Sequence, residues 1–209
     1  MRPLVLAALI VALGLLGCGG GGDDSSESGG ELAVRASIEG FSFSDDPATC
    51  RQIYTPGFLE RMAGGVEGEA ALLVCEQVVA RGNQLHSRDV DLSEINLTGG
   101  KATADVAFTG GTFDGQTITF ALVREQGRWR IDRMVGFVEF DRDRLLEGIK
   151  RQIGQAGTAR DGQLQACMLE RFEELDDQEL QDLALYADPR GLYGIAEECG
   201  RGQEGIQET

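Results

Sequence analysis

A chain of 209 residues and 22.4 kDa, with a formal charge of -16 and a pI near 4.4, has room for one domain of ordinary size and an appendage. With 42% hydrophobic and 26% charged residues it can fill a core, which excludes wholesale disorder. Nineteen Lys and Arg against 35 Asp and Glu leave no basic footprint for nucleic acid, and one His, His86, excludes a His-rich metal site or a His dyad.

The N-terminus reads as export machinery: Arg2, an apolar run from Leu4 to Leu16, then Gly17 and Cys18. The run falls short of the roughly 20 residues a membrane span needs. Leu15-Leu16-Gly17-Cys18 resembles the lipobox of bacterial lipoproteins, with Leu16 in place of the usual small residue. The resemblance implies a signal peptide over 1–17, cleavage before Cys18, and acylation of that residue as a membrane anchor. Residues 18–30, Gly-, Ser- and Asp-rich after the Cys, are expected to form a flexible tether.

Residues 31–154 form the larger unit expected from the pattern. Val34, Ile38 and Phe41 share a helical face, Asp46-Pro47 reads as a cap and first position of a second helix, a short turn spans Phe58 to Met62, and a longer helix runs from about Glu67 to Arg81. After His86 the apolar period changes to two. Val90 and Leu92, then Ala102 to Phe108, then Ile118 to Leu122, then Trp129 and Ile131 predict four strands joined at Gly99-Gly100, Asp114-Gly115 and Gln126-Gly127. Gly110-Gly111 predicts a bulge, and Leu146, Ile149 and Ile153 a helix leaving the sheet. Helices followed by an antiparallel meander read as α+β.

The segment Thr49 to Met62 with Tyr54-Thr55-Pro56, the helix around Cys75, and above all Val123-Arg-Glu-Gln-Gly-Arg-Trp-Arg-Ile-Asp132 resemble the NTF2-like superfamily, the cone-shaped α+β fold that includes nuclear transport factor 2 and ketosteroid isomerase. The resemblance covers roughly residues 31–140. It implies a curved antiparallel sheet with N-terminal helices on one face and a cone mouth that can hold a pocket. Tyr54, Glu76, Trp129 and Arg133 are the candidates for its lining, although such aromatics as Tyr54 and Trp129 more often belong to a core, and such charges as Glu76 and Arg133 to a solvated or salt-bridged surface. No isomerase residue can be carried over, because no local motif matches.

Residues 155–209 read as a small all-α unit of three helices, with a capping-box start at Asp176-x-x-Glu179, Asp188-Pro189 opening the last helix, and an acidic tail. So small a unit needs a staple. With Cys18 acylated, Cys50, Cys75, Cys167 and Cys199 remain, an even number in an exported chain. Each lies on an apolar helical face within its own unit, which pairs Cys50 with Cys75 and Cys167 with Cys199. The run Glu170 to Asp182, seven acids and one Arg, is a solvated face or a docking surface for a basic partner.

The spacing supports no catalytic motif, metal site or cofactor site. Asp89, Asp91 and Glu94, like Asp141 and Asp143, lack calcium-loop spacing. The functional expectation is a non-enzymatic binding or accessory module, lipid-anchored to the bacterial cell membrane and facing the outside or periplasm, that meets an envelope protein or a small apolar ligand. The alternatives are a small enzyme using the cone pocket for proton transfer or hydrolysis, and a scaffold that forms a homodimer through its sheet.

Overall fold

A computed structural model describes residues 28–80, 87–155, 161–188 and 190–204. The signal segment, Cys18, most of the tether and His86 lie outside the described residues. The first helix, α1 (Gly29–Phe43), begins inside the expected tether, because Ser28 and Glu31 form a capping box: Ser28 Oγ accepts from the Glu31 N–H, and the Glu31 carboxylate accepts from the Ser28 N–H. Gly29 and Gly30 therefore belong to the first turn.

Two short helices follow, α2 (Thr49–Ile53) and α3 (Pro56–Met62), the latter capped by Thr55 with Pro56 at its first position. The fourth helix, α4, spans Gly68–Ala80. Four strands, β1 (Asp89–Thr98), β2 (Lys101–Thr109), β3 (Thr117–Glu125) and β4 (Arg128–Glu139), form one antiparallel sheet in the order β1-β2-β3-β4. The two-residue turn at Gln126 and Gly127 has positive φ at both positions, which matches the twist of its flanking strands. Gly110 and Gly111 do not bulge a strand, as the pattern predicted; they open the β2–β3 loop, in which Phe113 is buried. The register shifts lie instead in β1 around Glu94, at φ 48, and at three places between β3 and β4.

One face of the sheet is covered. Val34, Ile38 and Phe41 of α1, Ile53, Tyr54, Phe58 and Leu59 from α2 to α3, and Ala104, Val106, Phe120, Leu122 and Ile131 from the strands are all buried in one core. Cys50 and Cys75 are bonded and clip α2 to α4, with both sulfurs inside that core. Tyr54 makes a parallel bridge to Ile131, and the Ser37 hydroxyl donates to the Trp129 carbonyl at 2.8 Å, so the helices also close on the β4 edge.

After β4 the chain turns at Asp141 into α5 (Arg142–Gln155). The buried Gln116 amide fixes that turn: its nitrogen donates to the Asp141 carbonyl at 2.6 Å and its oxygen accepts from the Asp141 N–H at 3.3 Å. Gly148 brings α5 so close to the Thr112 carbonyl that no Cβ fits between them. Helices α6 (Asp161–Glu174), α7 (Asp177–Ala184) and α8 (Gly191–Glu204) complete the described chain, with the Asp176–Glu179 capping box in place and Cys167 bonded to Cys199. Phe172, Leu180 and Leu185 bury into the same core as the sheet, so the C-terminal helices share the interior of the larger unit.

Two disulfides mark a chain that folds in an oxidising, exported compartment. Among the described residues no helix is long and apolar enough to cross a membrane.

Candidate functional site

The four pocket candidates do not meet. Tyr54 and Trp129 stand in the core, 4% and 6% exposed. Tyr54 lies edge-on to Phe41 at 6.1 Å and tilted on Phe58 at 5.4 Å, and Phe41 in turn meets Phe120 at 5.3 Å. These rings fill the concave face. Glu76 is on α4, where it shares Arg51 with Glu69 at 3.3 and 2.7 Å. Arg133 lies on the opposite, uncovered face of the sheet, beside Asp132 at 3.5 Å.

A β-bulge separates Trp129 from Arg133. Ile131 pairs with Leu122 and Arg133 with Ala121, leaving Asp132 as the extra residue. The inward side chains thus run Trp129, Ile131, Met134 and not Trp129, Ile131, Arg133. On the uncovered face, Arg133 and Asp132 join Asn96, Thr98, Lys101 and Thr103 around a shallow depression of about 220 Å³. Its bottom is the small side chains of the central strands, and no deep cleft follows.

Pattern reasoning missed Tyr186. It follows α7 at φ 56, where its N–H reaches the Leu183 carbonyl at 3.3 Å and the next N–H, of Ala187, reaches Asp182 at 2.8 Å. That is the helix-ending arrangement that glycine usually serves. The ring stands edge-on to Phe58 at 6.3 Å, between the C-terminal helices and the core under α3. Burial pushes the Tyr54 phenol well above its usual range, with the Tyr186 phenol adding to the shift. Tyr186 is raised by burial and then by Tyr193. All three tyrosines of the chain thus line one seam. Tyr193 also approaches Gly64 where any side chain would collide, which seats α8 on the turn after α3. Arg61 closes the seam, its guanidinium 5.7 Å over the Phe58 ring and donating to the Asp132 carbonyl.

The acidic run is largely committed to structure. Asp177 meets Arg142 at 3.0 Å, and the same Arg donates to the Glu173 and Leu175 carbonyls at 3.0 and 2.7 Å. Glu173 pairs with Lys150 at 2.6 Å and Glu174 with Arg171 at 2.8 Å. Asp176 and Glu179 are held in the capping box. Among the described residues no three His, Cys, Asp or Glu side chains are grouped to hold a metal ion.

The site and fold define an α+β protein whose antiparallel sheet is covered on one face, with disulfide-linked C-terminal helices that share its core. The chain matches no protein-family model, no curated protein and no solved structure.

Proposed function

We propose that this chain is a cell-envelope lipoprotein, acylated at Cys18, in which an NTF2-like domain and its docked helices act as a non-enzymatic binding or accessory module. The observation that carries this reading is the occupancy of the concave face by Phe41, Tyr54, Phe58, Phe120 and Trp129. An enzyme of this architecture needs that space for substrate and a carboxylate or phenol free to exchange a proton. Here the buried polar side chains among the described residues are Ser37, Ser42, Thr55 and Gln116, none of them acidic. The Tyr54 and Tyr186 phenols are packed among rings and displaced upward, away from a base that works near neutral pH.

The NTF2-like reading is supported by the order of elements, four helices before a four-stranded antiparallel meander, and by the placement of those helices on one face and at the β4 edge. Acylation is supported by the lipobox-like run and by the disulfides, which fit an exported chain. The full chain, extracted from membranes in detergent, should retain a bound apolar ligand or an envelope protein without turning over esters, amides or ketosteroids. Turnover abolished by a single Asp or Glu substitution would reverse the ranking. Replacement Cys18→Ser should release the protein from the membrane fraction, and unchanged membrane association would refute the anchor.

A further inference from the structure

Charge along the sheet is divided between its ends, with Lys101 and Arg128 on the uncovered face and Arg124, in register with the inward Trp129, on the covered side. At the end of the β1–β2 and β3–β4 turns, Lys101, Arg124 and Arg128 are exposed and make no ion pair among the described residues. Arg130 adds a fourth cation there, 3.5 Å from Glu125. The register holds these residues together: Lys101 is opposite Val123, Glu125 is opposite Arg128, and the Arg124 N–H donates to the Gly100 carbonyl at 2.8 Å. The acids near this end are Glu125, beside Arg130, Asp132, which shares the depression with Lys101 and lies 3.5 Å from Arg133, and Glu31, engaged in the α1 cap. The far end carries Asp89, Asp91, Asp105 and Glu139 on the same face, with the exposed Arg88 beside Gly110 as a cation among them. From Lys101 to Ala107 the strand runs about 20 Å, more than twice the screening length of about 8 Å at physiological salt. Each end therefore meets a charged surface on its own terms, whatever the net charge of the protein.

The described chain starts at the basic end. A Cβ added to Gly30 would lie 2.8 Å from Leu97 Cδ1, so the first turn of α1 rests on the end of β1. Leu32 and Leu97 stay exposed there, 53% and 37%. Cys18 precedes Ser28 by ten residues, which span at most about 35 Å. An anchor at Cys18 thus joins the described chain at this end of the sheet and keeps it, on average, nearer the lipid than the acidic end.

We propose that Lys101, Arg124 and Arg128 form a seat for an anionic bilayer surface, with Leu32 and Leu97 as its apolar contacts, and that this seat fixes which way the anchored domain stands. The inference rests on acylation of Cys18 for its geometry, while the seat itself is a property of the folded sheet end. Each Lys or Arg at an anionic surface is worth about fivefold in partitioning, enough to orient a domain that its anchor already holds close. The segment before Ser28 adds Asp23, Asp24 and Glu27, which oppose the seat and stay in place in every variant below.

The full acylated chain is reconstituted into vesicles of phosphatidylcholine alone and of phosphatidylcholine with about 30% phosphatidylglycerol, and amide exchange is followed. The expected result is slowing by about tenfold or more at Gly99-Gly100 and Gln126-Gly127 on the anionic vesicles only. That slowing should vanish at high salt and in Lys101→Gln/Arg124→Gln/Arg128→Gln, while exchange in β2 and β3 stays unchanged as a check on the fold. Equal exchange on both vesicles, or slowing that survives the triple substitution, overturns the seat. Flotation with pure phosphatidylcholine vesicles reports on acylation separately. In parallel, the full-length Cys18→Ser chain should co-sediment with anionic vesicles on the order of 100-fold better than its triple variant, and equal co-sedimentation overturns the seat even if the anchor reading fails.

Discussion

Tyr186 lets two opposing terms be separated by substitution. Its backbone sits at φ 56 in a position that favours glycine, yet its ring is packed edge-on to Phe58. Truncating a large buried aromatic costs about 3–5 kcal/mol, and the edge-on geometry contributes about 0.5–1.5 kcal/mol of such a loss. Tyr186 is half-buried, so Tyr186→Ala should fall near the lower bound, about 3 kcal/mol. Tyr186→Gly removes the same ring but also removes the left-handed strain, worth about 1 kcal/mol. The glycine variant should therefore be about 1 kcal/mol more stable than the alanine variant, an inversion of the order expected in a helix.

The assay is urea unfolding with both disulfides intact, read by Trp129 fluorescence, alongside thermal melts. For a chain of this size about 3 kcal/mol corresponds to a fall in Tm of roughly 6–12 °C. Tyr186→Phe keeps the ring and should cost under about 1 kcal/mol. If Tyr186→Gly is as unstable as Tyr186→Ala or more so, the strain argument is wrong. If Tyr186→Ala costs less than about 1 kcal/mol, the ring does not anchor the helices to the cone.

Four further outcomes follow from the same packing. Gln116→Leu strips the Asp141 turn of both side-chain hydrogen bonds and should cost about 2 kcal/mol by urea unfolding; a neutral effect would remove Gln116 as the device that aims α5. Under mild native-state reduction, Cys167–Cys199 should open before Cys50–Cys75, because Cys167 is half-buried whereas Cys50 and Cys75 are buried, and mass mapping of alkylated peptides would show the reverse order if this is wrong. Removing either bridge by paired Cys→Ala replacement should cost about 3.5 kcal/mol on the chain-entropy model. Stability should also fall as pH rises above about 10. The buried Tyr54 and Tyr186 phenols have raised folded-state values, so above that pH the unfolded chain loses protons that the folded chain keeps. Tyr54→Phe should flatten this decline, and an unchanged alkaline slope would count against the burial of that hydroxyl.

What the sequence disclosed, and what it withheld, divides along a physical line. Local periodicity carries the helices, the four strands and the faces of the four bonded cysteines, because each depends on neighbours within a turn or a strand. The Asp176–Glu179 cap was legible for the same reason, and the Ser28–Glu31 cap had the same signature but was hidden by the glycines after it. Tyr186 was not legible: nothing in Leu-Tyr-Ala-Asp announces a left-handed residue, and only the cavity beside Phe58 explains why a tyrosine takes it. The acids of Glu170 to Asp182 form the solvated face that the pattern suggested, most of them exposed, while the pairing of Asp177 with Arg142 and of Glu173 with Lys150 reaches too far along the chain for the pattern to show.

The departure of Arg133 from the expected pocket has one cause, the bulge at Asp132. Strict alternation carries Trp129, Ile131 and Arg133 to one face, where a guanidinium would stand in the core under the sheet among aromatic rings. The extra residue Asp132 reverses that phase. Met134 takes the inward place, only 4% exposed, and Arg133 goes out to the open face with Lys101. Had the strand run on without the bulge, the interior would hold a cation needing a buried carboxylate, the kind of unequal pair from which acid and base chemistry is built. The bulge instead leaves the interior apolar and moves charge to the outside of the sheet. One residue of register thus decides whether Arg133 faces the core or the open side of the sheet.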